Sequence, residues 1–431
     1  MKIKTFRYGV HPEERKELSK NAPIAAVLPG ERVAVPMSQH IGAPAEPVVK
    51  VGDSVKAGSL IGRATAIVSA NVFSSVSGTV AALEMKEGVS GAKCLHVVIE
   101  NDFKYEEERL AMLTDPGREE IIARAREAGI VGMGGAAFPF DVKLSVKNPV
   151  DILLINGSEC EPYITCDYRL MLERAEGVVS GVKLVRKALG ARRAVIAVEA
   201  NKRDAFDALQ SYAAAEGIET ALVKTKYPQG GEKQLIYALT KRKVPAGKLP
   251  GDVGCIVTNA ATAYALYEAV VFGKPLYERV VTVSGLAAAR PGNFSVRTGT
   301  SFGYLAKHAG IASDFVKAVQ GGPMMGVSMH SLEPSVTKSS GALLLLTEGE
   351  IRAVEPTPCI NCARCANVCP MSLMPMKTDA LILKDKTEET KKYHPELCIE
   401  CGSCAYVCPA KRPLVQSQRL AKKLILNRER R

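Results

Sequence analysis

The sequence contains no tryptophan, and aromatic residues of all kinds make up only 5% of it. A surface that stacks nucleic-acid bases needs aromatic side chains among its basic ones. The basic tail Lys411–Arg431 has no aromatic set interleaved with its charges, which makes nucleic acid a poorer explanation of it. Long apolar runs are also missing. A membrane-spanning helix needs about 18 or more uncharged residues, whereas the longest pure stretch lies near Ala342–Leu346. Met1–Arg7 has no apolar signal core, so secretion is not expected. The six histidines show neither H-x3-H nor HExxH spacing, which leaves no histidine-based metal site; His11 and His40 read as structural.

What is present describes an ordinary globular chain. Its 431 residues are 47% hydrophobic and 24% charged, and a length of this order predicts two to four domains. The net charge is +12, from 57 Lys+Arg against 45 Asp+Glu. That excess suits nucleic acid, anionic lipid or acidic proteins without choosing among them. Twelve cysteines would be enough for a disulfide scaffold, but eight of them fall between Cys359 and Cys408. A disulfide framework would be spread along the chain, so the grouping points to metal chemistry in a reducing compartment.

Along the chain, a leader with Gly9-Val10-His11-Pro12 and a charged stretch to Lys20 precedes short glycine-separated strands from Val33 to about Glu100. That spacing predicts a small all-β unit. Ile121, Ile122, Ala125 and Ala128 recur at helical spacing and Gly129 ends the helix. After the glycine-rich Gly129–Ala137, an apolar run Ile152–Ile155 is followed by alternating elements. These are a helix around 177–189, a strand at 194–198, a helix at 204–215 and a strand near 221–223. Alternation of this kind predicts an α/β layer on a largely parallel sheet. A further β-rich unit opens at Val280–Gly285, includes a helix at 304–309 and closes with Ala342–Leu346. Glu355-Pro356-Thr357-Pro358 links it to the cysteine region.

The cysteines carry the clearest chemistry. Cys359-x2-Cys362-x2-Cys365-x3-Cys369-Pro370 is repeated as Cys398-x2-Cys401-x2-Cys404-x3-Cys408-Pro409. This is the spacing of two-cluster ferredoxins, in which the fourth cysteine of each run ligates the other cluster. It assigns Cys359, Cys362, Cys365 and Cys408 to one [4Fe–4S] cluster, and Cys398, Cys401, Cys404 and Cys369 to the second. The alternative is a pair of structural zinc sites, but zinc ribbons join two separated C-x2-C knuckles and need neither the third close cysteine nor the proline. Two linked clusters carry single electrons and require a donor.

The glycine string Gly132-Met133-Gly134-Gly135-Ala136-Ala137 lets backbone N–H groups approach a phosphate. It follows a helix, unlike a Rossmann fingerprint, and a plain surface loop is the competing reading. Lys143 lies just downstream, and Asn156, Ser158, Glu159 and Glu161 follow the buried strand at the end where α/β ligands bind. Gly230-Gly231-Glu232 and Thr258-Asn259 are two further polar loops.

Gly129–Leu144, Ile155–Asp167 and Tyr227–Leu239 resemble the FMN- and NADH-binding loops of the flavoprotein subunit of respiratory complex I. Together with the β-rich leader carrying Gln39–Ala45 and the C-terminal ferredoxin, their order resembles the RnfC family of Rnf electron-transport complexes. The resemblance covers nearly the whole chain and implies a multidomain α/β and β fold. Residues 1–110 would be a leader and barrel-sandwich hybrid, or half-barrel, and 111–275 a complex I flavoprotein-like α/β domain. A β-grasp soluble-ligand-binding domain would span 276–350, a two-cluster α+β ferredoxin domain 351–412 and a basic tail 413–431. It implies noncovalent FMN, NAD(H) as substrate and two [4Fe–4S] clusters. Partners would be the other Rnf subunits, with ferredoxin reached through them, on the cytoplasmic face of a bacterial or archaeal inner membrane. Carried over, Gly132, Gly134, Lys143, Asn156, Ser158, Gly231, Asn259 and Thr262 would hold FMN, while Phe138, Glu161 and Glu232 would meet the nicotinamide nucleotide. Departures from the complex I pattern are Met133, Ala137, Ser158 and Lys233.

Two alternatives accompany this reading. One is a soluble flavin reductase similar to the cobalamin reductase of microcompartments, in which the half-barrel follows the clusters instead of preceding the flavin domain. The other is an electron-wire protein without FMN. The half-barrel lacks a carrier lysine between Ala64 and Val76, so a docking or structural module is expected there. Val281–Gly285 with Pro291-Gly292 and Gly321-Gly322-Pro323-Met324-Met325-Gly326 resembles the β-grasp domain, which is expected to be a spacer that orients FMN toward the clusters. Cys94, Cys160, Cys166 and Cys255 read as small buried hydrophobes; for Cys160 and Cys166, which flank the expected active-site loop, a cluster contact or redox role is the alternative. The tail Lys411–Arg431 carries eight basic residues against Glu429. Leu414, Leu420, Leu424 and Leu426 fall roughly along one side if Pro413 starts a helix. At about 1 kcal/mol per basic group, weak membrane association is one reading of the tail and a solvated end is the other.

Overall fold

The computed structural model describes residues 3–311, 315–351 and 354–429. Arg430 and Arg431 of the basic tail lie outside the described residues.

Four units follow one another. The half-barrel pairs a sheet ordered Arg32–Pro36, Lys93–Asn101, Gly78–Glu87, Ser54–Val55 with a smaller one ordered Glu46–Pro47, Leu60–Arg63, Val72–Phe73. Alternate valines and isoleucines, among them Val33, Val35, Ile61, Val72, Val97 and Ile99, meet between the sheets as its core. Where a carrier would present its lysine, the 64–76 segment is instead docked on the α/β domain. Asn71 Nδ2 donates to the Glu127 carbonyl at 3.2 Å, and the Ile41 N–H donates to the Ala137 carbonyl at 3.3 Å.

The α/β domain is a four-stranded, wholly parallel sheet ordered Glu219–Val223, Arg193–Glu199, Ile152–Gly157, Cys255–Asn259. Its strands are continuous apolar runs because helices cover both faces. On one face Ala175–Leu189, Arg203–Ala213 and Ala260–Val271 bury Val178, Val182, Val185, Phe206 and Leu266, and on the other Glu232–Thr240 buries Leu235 and Ile236. The strand order reverses between Ile152–Gly157 and Cys255–Asn259. At the carboxyl ends of those strands Asn156 and Asn259 lie opposite each other in register. A topological switch point of this kind is where open α/β sheets hold their ligands.

The third unit is a six-stranded mixed sheet with the helix Phe302–Ala309 on it. Its edge strand is Ile24–Val27, which pairs in parallel with Gly292–Arg297. The leader is thus not an appendage of the half-barrel. It runs across the α/β domain, where Val10 pairs with Tyr227, and ends in the third sheet. The fourth unit is the ferredoxin. Its helix Leu414–Glu429 packs Leu414, Gln418, Ala421 and Ile425 inward and leaves Leu420 and Leu426 exposed, so the buried stripe differs from the leucine row expected. The basic side chains also fold back. Arg412 Nε donates to Asp379 at 2.9 Å, Arg419 Nε to Glu400 at 2.8 Å, and Lys422 Nζ to Glu400 at 3.3 Å. The first part of the tail is therefore the closing helix of the ferredoxin unit.

Lys338 ties three units together. Its fully buried ammonium donates to the Asn71 carbonyl of the half-barrel at 2.5 Å and to the Gly129 carbonyl of the α/β domain at 2.7 Å. Burial alone lowers its pKa to about 7. An unfolded lysine keeps its proton to about pH 10.4, so between those values the unfolded chain binds more protons and stability rises with pH. Thermal unfolding of the wild type is expected to shift upward from pH 7.5 to 9.5. The Lys338→Met variant is expected to lose that part of the slope.

Candidate functional site

The glycine-rich segment lies over the switch point. Helix Arg118–Glu127 ends at Ala128, and Gly129 turns the chain at φ +62°. Val131 then bridges to Pro139, and the Gly132 N–H donates to the Phe138 carbonyl at 2.8 Å, closing a loop whose tip, Gly134–Ala136, is exposed. The loop is held from below by the Met133 N–H, which donates to Thr262 Oγ1 at 2.9 Å. Thr262 stands in the first turn of the helix Ala260–Val271, capped by Asn259. The Asn259 side-chain oxygen accepts from the Ala261 and Thr262 N–H groups at 2.9 and 3.3 Å. Its amide donates to Asp167 at 2.6 Å. A cap of this type stabilises a helix by about 1 kcal/mol.

The structure brings most of the sequence-derived residues to this cleft. Asn156 Nδ2 donates to the Gly230 carbonyl at 2.8 Å, and its Oδ1 accepts from the Ser158 N–H at 3.1 Å. Gly231 is the N-cap of the helix Glu232–Thr240. Lys143 Nζ faces Glu232 Oε1 at 3.4 Å, both partly exposed, so cation and carboxylate meet across the opening. Two helix N-termini, Glu232–Thr240 and Ala260–Val271, thus flank a loop of glycines with a lysine at the rim, an arrangement suited to an anionic group. Phe138 is half-buried at the loop's end.

Glu161 is held by contacts other than those expected of a nucleotide ligand. Its carboxylate oxygens accept from the Met324 and Met325 N–H groups at 3.1 and 2.9 Å, and the Gly322 backbone packs directly on them. Behind the cleft lies a layer of charge of which pattern reading named only Glu159. Glu159 accepts from the Asp167 N–H at 2.7 Å. Lys202 Nζ donates to the Ser158 carbonyl at 2.7 Å and to Glu199 at 2.8 Å. Lys16 of the leader donates to the Glu159 and Glu161 carbonyls at 3.0 and 2.9 Å. Glu159, at φ +47°, and Ala137, at +50°, hold left-handed backbone that side chains seldom adopt, a form of strain concentrated at functional sites. Burial raises the pKa of Glu159, Asp167 and Glu199.

A flavin phosphate and ring would fit the residues present. A Cβ at Gly132 would meet nothing nearer than 3.7 Å, so the chain's own packing does not require that glycine. Ser158 Oγ and Gln234 Oε1, both buried, find no partner among the described residues.

All twelve cysteines are free thiols. Cys369, Cys398, Cys401 and Cys404 line one pocket, so the fourth cysteine of the first run joins the second run. Cys365 and Cys408 are neighbours in an apolar cluster with Leu414, which Cys404 also joins. Burial raises Cys369 and Cys404, and pushes Cys398 up to about 11. Thiolates gathered in such a place need a metal's positive charge, and thiol-only donor sets suit iron–sulfur clusters. Cys359 and Cys362 are exposed, whereas Cys401 lies in an apolar junction with Cys160, Tyr227, Val10 and Met324. The helix Glu232–Thr240 reaches the same cluster cavity, because Gln234 Nε2 approaches Met371 Sδ at 3.4 Å.

Residues 125–268 match the family described as the Nuo51 FMN-binding domain, residues 4–104 the RnfC barrel sandwich hybrid domain and residues 358–411 the 4Fe-4S dicluster domain. The chain is 43% identical to the C component of the proton-translocating ferredoxin:NAD+ oxidoreductase complex of Clostridium ljungdahlii, over 97% of this chain and 94% of that protein. Identity is 41% to the C component of the Na+-translocating complex of Acetobacterium woodii, over 99% and 98% of the two chains. It is 40% to the C component of the ion-translocating oxidoreductase complex of Rhodobacter capsulatus, over 99% and 84%. Among solved structures, an NAD+-reducing [NiFe]-hydrogenase superposes with a TM-score of 0.51 at 18% identity, over 70% of this chain and 63% of that one. That likeness is one of fold. Relatives that match from leader to ferredoxin do not favour the soluble reductase alternative.

Proposed function

The chain belongs to the RnfC family of ion-translocating ferredoxin:NAD+ oxidoreductase complexes, and from that membership we propose that it exchanges electrons between NAD(H) and FMN and relays them through two [4Fe–4S] clusters to neighbouring subunits. The observation that carries the reading is the junction of Cys160, Tyr227, Met324 and Cys401, which joins the flavin cleft to one cluster pocket through packed side chains.

Bound FMN supplies the conversion of a two-electron hydride exchange into single-electron steps. The residues do the binding and orienting. Gly132 and Gly134 allow the loop backbone to approach the phosphate, and Lys143 with the two helix N-termini offsets its charge. Asn156, Ser158, Gly231, Asn259 and Thr262 shape the rest of the flavin site. Phe138 and Glu232 stand at the rim, where the nicotinamide nucleotide would enter. Cys369, Cys398, Cys401 and Cys404 would hold the cluster on the side of the cleft, where Cys401 packs with Cys160 and Tyr227. Cys359, Cys362, Cys365 and Cys408 would hold the other, and the exposure of Cys359 and Cys362 leaves that end open to a neighbouring protein of the complex. In the direction from reduced ferredoxin to NAD+ the order is reversed along the same residues.

Among the described residues no helix is long and apolar enough to cross a membrane. Family membership supports attachment through membrane-embedded subunits of the complex, on the cytoplasmic face of the inner membrane. The test is an anaerobic NADH titration of the reconstituted protein. Flavin bleaching followed by a cluster EPR signal is expected; zinc in place of iron, or no affinity for FMN, would end the reading.

A further inference from the structure

The third unit's Gly321–Gly326 turn lies against Glu161 of the α/β domain and against Cys401 and Gly402 of the ferredoxin unit. The turn is tight: the Gly326 N–H donates to the Gly322 carbonyl at 2.8 Å, and Gly321 sits at φ +90°. On one side the Glu161 carboxylate accepts both the Met324 and the Met325 N–H. On the other, the Met324 carbonyl lies against Gly402, where a Cβ would come within 2.8 Å of it. Gly402 stands between Cys401 and Cys404. The Met324 side chain completes the contact, packed with Cys160 and Tyr227 of the α/β domain and with Cys401 and Ile399 of the ferredoxin.

We propose that Glu161 is a positioning residue that clamps the Met324–Met325 turn between the flavin cleft and the inner cluster, setting electron transfer between them rather than nucleotide binding. The inference rests on the relay proposed above. Two N–H groups converging on one carboxylate are strong, directional bonds, and no charged side chain of the turn itself competes for them. Glu161 is in turn fixed by Lys16, whose ammonium holds its carbonyl. Electron transfer tolerates displacement poorly, and a misplaced bridge changes rate without changing either site. The balance is simple: NADH yields NAD+, one proton and two electrons, and each cluster takes one electron. Glu161 gains and loses none.

Burial lifts Glu161 to about 7, opposed by the Met324 and Met325 N–H groups and then by Lys16, with the Tyr227 hydroxyl also facing it. Glu159 and Cys160 adjoin it in sequence. Loss of its charge below neutrality removes part of the clamp, so transfer into the clusters should slow as pH falls.

The experiment uses the holoprotein with FMN and clusters, followed by anaerobic stopped-flow absorbance and EPR after mixing with NADH. In Glu161→Gln, flavin bleaching should stay within about twofold of wild type. Cluster reduction should slow about tenfold or more, as expected for a small misplacement. The wild type should slow as pH falls from about 8 to 6, while the variant stays flat. Gly402→Ala, which pushes on Met324 with Glu161 intact but also strains the φ +81° backbone between Cys401 and Cys404, should slow cluster reduction in the same way at unchanged iron content. A raised KM for NADH in Glu161→Gln with normal cluster reduction would overturn the inference and return Glu161 to the nucleotide. Unchanged cluster kinetics in both variants would overturn it too. A wild type that NADH does not bleach would overturn the relay beneath it, a result distinct from either.

Discussion

Cys408→Ser is expected to halve the iron and acid-labile sulfide of the anaerobically reconstituted protein, and adding Cys362→Ser should remove no more. Adding Cys401→Ser instead should remove nearly all of it. The two double variants separate crossed from uncrossed ligation, because residues that serve one cluster are not additive while residues on separate clusters are. Uncrossed ligation would exchange the two outcomes. The geometry favours crossing. Cys369 shares one cavity with Cys398, Cys401 and Cys404, and Cys365 meets Cys408 beside Leu414. Losing the outer cluster should leave NADH-dependent flavin bleaching intact and stop delivery to a terminal acceptor, since the junction at Cys401 and Met324 belongs to the inner cluster. Equal loss of both activities would count against a linear order.

The cysteine runs were legible because a cubane dictates ligand spacing within a few residues, and that constraint survives whatever surrounds it. The parallel sheet was legible for a related reason: Ile152–Ile155 and Ala194–Val198 are buried on both faces and so read as unbroken apolar runs. What sequence reading missed depends on partners far away in the chain. Ile24–Val27 is a strand only because Gly292–Arg297 offers it an edge, and a four-residue segment has no period to betray it. Lys338 looks like any loop lysine until its two carbonyl acceptors, from two other units, are in place. Glu161 sits in the same short stretch as Asn156 and Ser158, and nothing local distinguishes a carboxylate facing a nucleotide from one holding two methionine N–H groups. The tail's leucines suggest one face, yet the helix buries Leu414, Ala421 and Ile425, because Arg412, Arg419 and Lys422 are bound to carboxylates of the ferredoxin.

Gly134→Val should lower FMN affinity by about a hundredfold while leaving the iron content unchanged. Two effects combine. A Cβ at Gly134 would already stand 3.1 Å from the Asn259 side chain, and the branches of valine would push that side chain out of its cap. Losing an N-cap costs about 1 kcal/mol, and it turns a preorganised helix N-terminus away from the phosphate. The valine methyls would also occupy the exposed tip where loop N–H groups must approach the anion, and each tenfold loss of affinity corresponds to about 1.4 kcal/mol. Asn259→Ala separates the two effects, because it removes the cap but leaves the space; a smaller loss, about tenfold, is expected of it. Quenching of FMN fluorescence on titration of the deflavinated protein measures both. Dithionite should still reduce the clusters of Gly134→Val, whereas NADH should not, because the element altered is the one on which the flavin depends. Wild-type FMN affinity in Gly134→Val would mean that the phosphate does not lie over this loop. Lys143 and the Glu232–Thr240 N-terminus would then have to hold it alone.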